Sequence, residues 1–134
     1  MFIFEDYVSF ENAKLLKEHD FDEPCNMGYN EKGQLLPLAN WRNTTLDKFE
    51  GVSTKVTAPT LQRALKWLRR EHNLAISTSV TVDGWHSYVS RIKLDSEGFV
   101  VDIIDGIDGG NIPNRDTYED ACETAIKYCL ENLI

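Results

Sequence analysis

The chain has 134 residues, of which 42% are hydrophobic and 27% charged, a profile that excludes intrinsic disorder and points to an ordinary globular protein. At this length folding buries roughly two-thirds of the extended chain's surface, so one core and a single α+β domain spanning residues 1–134 are expected. A formal net charge of −8 favours solubility and argues against unspecific binding to nucleic acid or to an anionic membrane. No stretch approaches the roughly 18 apolar residues of a membrane span, and the acidic start from Met1 to Asp6 lacks the basic flank of a secretory signal, so a cytoplasmic location is expected.

The first helix is expected from about Phe10 to His19, with Ser9 as its N-cap, Val8 stapling onto Ala13, and Phe10, Ala13 and Leu16 at helical spacing. Phe21 then turns the chain back toward the core. From Asp22 to Thr57, Pro24, Gly28, Gly33, Pro37 and Gly51 interrupt every candidate element. Short strands at Cys25–Tyr29 and Gln34–Leu38 are expected to turn at Asn30-Glu31-Lys32-Gly33, with Trp41, Leu46 and Phe49 pinning the segment to the body.

A second helix follows Pro59, where Leu61, Ala64, Leu65 and Leu68 form an i, i+3, i+4, i+7 stripe that ends near His72. The third is capped by Asp116 or Thr117 and carries a wide apolar face of Ala121, Cys122, Ala125, Ile126, Cys129, Leu130 and Leu133. Three strands lie between them. A three-residue loop at Asp83-Gly84-Trp85 pairs Val80 with Tyr88 and Ile76 with Ile92, keeping an apolar face whole. A four-residue turn at Asp95-Ser96-Glu97-Gly98 then pairs Leu94 with Phe99 and Ile92 with Val101. The opposite face carries Ser77, Ser79, Thr81, Ser87, Val89, Arg91, Lys93, Val100, Asp102 and Ile104. The expected fold is α+β, an antiparallel sheet of three or more strands with helices on one face, the carboxy-terminal half running α-β-β-β-α.

Sequence signatures of catalysis are missing. There is no Gly-rich phosphate loop, nucleophile elbow, His-Glu-x-x-His or Cys-x-x-Cys pair. Cys122 and Cys129 lie seven apart on one helix, roughly 10 Å at Cα, beyond the reach of a bridge, so reduced thiols are expected. His19, His72, His86 and Cys25 are the residues from which a catalytic or metal cluster would have to assemble. The loop Asp105-Gly106-Ile107-Asp108-Gly109-Gly110-Asn111 gathers oxygen ligands among glycines, although without EF-hand spacing. No cofactor and no metal is expected.

Arg63, Lys66, Arg69 and Arg70 surround Trp67 on the second helix, a concentrated positive patch in an acidic chain. Basic plus aromatic is a mixture used for contacts with protein, phosphate or nucleic acid. The leading expectation is a non-enzymatic interaction protein that binds another protein through Arg63, Lys66, Trp67 and Arg70. Two alternatives stand beside it: a small enzyme with a site near Cys25 or the acidic loop 105–111, and nucleic-acid binding through the basic helix 61–72.

Three segments carry a resemblance: Phe10-Glu11-Asn12-Ala13-Lys14 with Phe21-Asp22-Glu23-Pro24-Cys25, Ala58-Pro59-Thr60-Leu61-Gln62 through Trp67-Leu68, and Tyr118-Glu119-Asp120-Ala121 through Tyr128-Cys129-Leu130-Glu131-Asn132-Leu133. In these the chain resembles small proteins of gut Bacteroides-type bacteria and their phages or mobile elements. The resemblance implies a kind of genome and no mechanism. The α-β-β-β-α order is also similar to that of double-stranded-RNA-binding domains, but the Lys-rich start of their last helix is replaced here by Asn114-Arg115-Asp116-Thr117-Tyr118-Glu119-Asp120.

Overall fold

The computed structural model describes residues 6–98, 100–105 and 112–134. Its packing divides the chain into two compact units, Met1–Thr60 and Leu61–Ile134.

In the first unit, α1 (Phe10–Glu18) starts where Ser9 turns extended and its hydroxyl accepts the Asn12 N–H at 3.1 Å. That bond satisfies one of the donors a helix start leaves unpaired. Val8, Ala13 and Leu16 are fully buried. Past the helix end Asp20 takes φ +66, and the Phe21 N–H reaches back to the Leu16 carbonyl at 2.9 Å. This left-handed cap folds Phe21 inward, to 1% exposure.

Three strands of this unit, β1 (Cys25–Asn30), β2 (Leu35–Trp41) and β3 (Thr54–Thr57), form an antiparallel sheet in the order β2-β1-β3. The expected turn is present. Asn30 Oδ1 accepts the N–H groups of Lys32 and Gln34 at 2.9 and 3.0 Å, and Gly33 supplies φ +77. Gly28 sits in the central strand because a Cβ there would come within 2.6 Å of the Val56 carbonyl oxygen and of Thr54 Cγ2.

Between β2 and β3 lies α2 (Asn43–Lys48), which the sequence reading did not anticipate. Its first residue is a buried fastener: Asn43 Nδ2 donates to the Phe21 carbonyl at 2.8 Å and Oδ1 accepts the Thr57 N–H at 2.9 Å. Leu46 is buried as expected. Phe49 is not, at 57% exposure; its ring lies 5.7 Å from that of Trp41, so the two aromatics shield each other at the surface.

The second unit runs α3 (Leu61–His72), β4 (Leu74–Thr81), β5 (Gly84–Leu94), β6 (Val100–Asp105) and α4 (Tyr118–Asn132), the expected α-β-β-β-α order around an antiparallel sheet β4-β5-β6. The chain is therefore α+β. Thr117 caps α4 by accepting the Asp120 N–H at 3.1 Å. Ala121, Cys122, Ala125, Ile126, Cys129 and Leu130 are buried against the sheet side, while Leu133 at the last turn is only half-buried. α4 packs on β4 and β5, and α3 packs on β4 and α4.

The hairpin register differs from expectation. Ile76 faces Val89, Thr78 faces Ser87, Val80 faces Trp85 and Thr81 faces Gly84, so the loop is Val82-Asp83. This slips β5 by three residues, and an odd slip exchanges the faces of a strand. Ser87 and Val89, expected on the open face, are fully buried beneath α4, whereas Tyr88 and Ile92 turn to the other side and are half-buried. The physical reason is local at both ends. Thr81 Oγ1 accepts the Asp83 N–H and donates to the Gly84 carbonyl, closing the loop early, and a Cβ at Gly84 would stand 2.6 Å from the Arg115 carbonyl oxygen.

In the core the Ser87 hydroxyl donates to the Ala121 carbonyl at 3.0 Å and so accepts from Thr78 at 2.8 Å, leaving Thr78 Oγ1 to receive the Cys122 S–H at 3.6 Å. A fully paired hydroxyl can be buried without penalty large enough to change the register. In the second hairpin Leu94 pairs with Val100 and Arg91 with Asp102, in place of the expected Leu94–Phe99 and Ile92–Val101 pairs.

Candidate partner-binding surface

α3 is built on the Leu61, Ala64, Leu65 and Leu68 stripe, all buried. At about 100° per residue, Arg63, Lys66, Arg69 and Arg70 fall within an arc of about 120° on the far side, and all four are exposed. They are four of the chain's fourteen Lys and Arg residues, so the concentration of positive charge is real. Arg69 and Arg70 occupy the last turn, where the helix dipole favours cations. Lys66, Arg69 and Arg70 make no ion pair among the described residues.

Trp67 does not belong to that surface. It is 6% exposed, and its ring meets the edge of His72 at 4.7 Å. By spacing it lies about 60° from Ala64 and about 40° from Arg63, on the border between the apolar stripe and the cations, and its burial places it with the core. The candidate surface is therefore cationic without an aromatic anchor.

The remaining candidates are dispersed or occupied. Cys25 is buried in the first unit with Sγ 3.5 Å from the Glu23 carbonyl. In the second unit, His86 donates through Nδ1 to Asn114 Oδ1 and packs edge-on against Tyr88 at 4.8 Å, and its buried Nε2 has no hydrogen-bond partner among the described residues. Among the described residues no three His, Cys, Asp or Glu side chains converge as metal ligands. The acidic loop 105–111 lies, beyond Asp105 at the end of β6, outside the described residues. An open pocket of about 480 Å³ is lined by Asn114, Arg115, Asp116, Asp120, Glu123 and Thr124; no cysteine or histidine lines it, and Arg115 Nε is already bonded to Thr124 Oγ1 at 2.9 Å. Its carboxylates, Asp116, Asp120 and Glu123, stand without a cysteine or histidine beside them, and the Thr124 hydroxyl already donates to the Asp120 carbonyl at 2.8 Å.

All three cysteines are free and buried. Burial pushes the Cys129 thiol up to about 12 from an ordinary 9.0, with the positive charge of Arg91 a lesser, opposing influence. In alkali the unfolded thiol ionises first, so the unfolded chain binds fewer protons than the native one. Stability is thus unaffected by this group below pH 9 and falls as pH rises from 9 toward 12, by at most about 1.4 kcal/mol per pH unit. Urea midpoints at neutral and alkaline pH check this. The alkaline loss in the parent chain should exceed that in Cys129→Ala, and equal losses would show that Cys129 ionises normally.

No family model matches this chain, and no curated protein or solved structure matches it either. Among the described residues no helix is long and apolar enough to cross a membrane.

Proposed function

We propose that this chain is a non-enzymatic accessory protein of a phage or mobile element, working in the cytoplasm, that binds an acidic surface of another protein through the exposed face of α3. The setting rests on the sequence resemblance. The binding reading rests on one observation, the gathering of Arg63, Lys66, Arg69 and Arg70 on one solvent-facing arc of a helix in a chain of net charge −8. Such an arc attracts carboxylate-rich patches, while the net charge of −8 on the chain as a whole repels acidic proteins that approach elsewhere. With Trp67 buried, recognition is electrostatic, and Arg63, Arg69 and Arg70 supply the bidentate donors that suit carboxylates.

Reversing two charges tests this. Lys66→Glu with Arg70→Glu should abolish capture of the native partner from nuclease-treated extract, while stability falls by no more than about 1 kcal/mol, the loss of a favourable charge at the carboxy-terminal turn of an exposed helix face. Undiminished recovery of the same proteins by the reversed chain would remove α3 as the binding surface. Capture that disappears on nuclease treatment, with a steep fall in affinity on adding salt, would assign the face to nucleic acid.

A further inference from the structure

A sheet edge presents unpaired N–H and C=O groups, and proteins blunt such edges with charge, proline, bulges or brevity. Among the described residues the two sheets have four edges, and three of them are blunted. β2 contains Pro37, and its pairing with β1 shifts between Cys25 and Met27. β3 has four residues, Lys55 among them. β6 contains Asp102 and Asp105 in its sequence, and its ladder with β5 shifts twice. The edge at β4 has none of these devices: its eight residues, Leu-Ala-Ile-Ser-Thr-Ser-Val-Thr, carry no charge and no proline, and they pair with β5 in unbroken register.

The phase of the ladder identifies the outward groups. The Ile92 N–H donates to the Asn73 carbonyl at 2.7 Å, which makes the odd-numbered residues of β4 the ones bonded to β5. On the far side of β5 the reciprocal Trp85–Arg115 bonds, 2.7 and 2.8 Å, fit the same phase. Ile76, Thr78 and Val80 therefore direct their main-chain groups away from the sheet, and no backbone group pairs with them among the described residues.

We propose that β4 pairs antiparallel with β4 of a second copy of this chain about a two-fold axis at Thr78, joining two three-stranded sheets into one. Charge confines a meeting of two copies to this edge: chains of net charge −8 repel elsewhere, whereas the segment 74–82 is uncharged, so here they approach without opposed carboxylates. The antiparallel sense also sets Asp83 of each copy beside the Asn73 end of the other, next to the basic last turn of α3. An exposed apolar residue sets the register. Val80 is 64% exposed; with Thr78 on the axis, outward groups meet outward groups, and Val80 lies against the partner subunit's Ile76, a residue that is half-buried in the free chain. On the open face Ser79 stands opposite the partner subunit's Ser77, small against small.

Sedimentation velocity on the full chain over rising concentration should show reversible conversion from one chain mass to twice that mass. Val80→Lys, which sets a cation into each symmetric half of the junction, should remain monomeric at the same concentrations with an unchanged far-UV spectrum. The register has its own test, which stands even if Val80→Lys fails to fold. Ser77→Cys mixed with Ser79→Cys should form a disulfide-linked dimer on mild oxidation, because that pair is a non-hydrogen-bonded one about 4.5 Å apart at Cα, and neither variant alone should do so. The native cysteines are buried and do not compete. A parent chain that is monomeric at every concentration, a dimer that folded Val80→Lys leaves intact, or cross-linking that ignores the pairing rule overturns the proposal. A monomer whose β4 accepts only an unrelated extended peptide does so too.

Discussion

Ile126→Ala is expected to lower the free energy of unfolding by about 2 to 5 kcal/mol. Ile126 is fully buried in the middle of α4, between Cys122 and Cys129 along the helix face that covers β4 and β5. Truncation removes its apolar contacts with water excluded on every side, and a helix anchored at Thr117 cannot slide to refill the space. Leu65→Ala on α3, at 5% exposure, should behave alike. Urea titration of each variant measures the effect as a drop in midpoint at constant slope. A midpoint unchanged within error would mean that the α4 face does not form the core of the second unit.

Asn43→Ala should cost nearly as much, about 2 to 4 kcal/mol, for a different reason. The lost side chain is small, but it answers two main-chain groups, the Phe21 carbonyl and the Thr57 N–H, in a site where Asn43 itself is 4% exposed. Removing it takes the side-chain partner from the Thr57 N–H and from the Phe21 carbonyl at once, both at a buried site. Asn43→Asp separates the two roles: the carboxylate still accepts from Thr57 but cannot donate to Phe21. It should be destabilised at neutral pH and recover part of the loss in acid, as the protonated acid regains a donor. A fully stable Asn43→Ala in thermal and urea unfolding would show that α2 is not fastened to the rest of the first unit in this way.

The long periodic elements were readable because their burial repeats along the helix. Leu61, Ala64, Leu65 and Leu68 mark α3, and Ala121 through Leu130 mark α4, each with a cap or a breaker at hand. The turn at Asn30–Gly33 was equally plain from its chemistry. α2 was not, since six residues span less than two turns and show no period. What holds it is Asn43, whose partners lie 22 and 14 residues away. The register of β4 and β5 was misread for a related reason. Placing every large apolar residue on one face selects a three-residue loop, whereas the folded sheet buries Ser87 because Thr78 and Ala121 satisfy its hydroxyl. Hydrophobicity alone cannot weigh a polar group whose partner sits 34 residues downstream. Of the candidate surface, the four cations of α3 are exposed, whereas Trp67, expected beside them, is buried: it lies on the helix between Arg63 and Ala64, where spacing alone does not decide which side a ring takes.

The cationic face of α3 is tested most directly by chemical footprinting of the chain, free and within a captured complex, with an arginine-selective glyoxal and a lysine-acetylating reagent read by mass spectrometry. Lys66, Arg69 and Arg70 should react readily in the free chain and lose reactivity when the partner is bound, while the exposed Lys32 and Lys48 of the first unit react alike in both. Unchanged labelling of Lys66, Arg69 and Arg70 in the complex, with protection appearing on other elements, would contradict binding through α3.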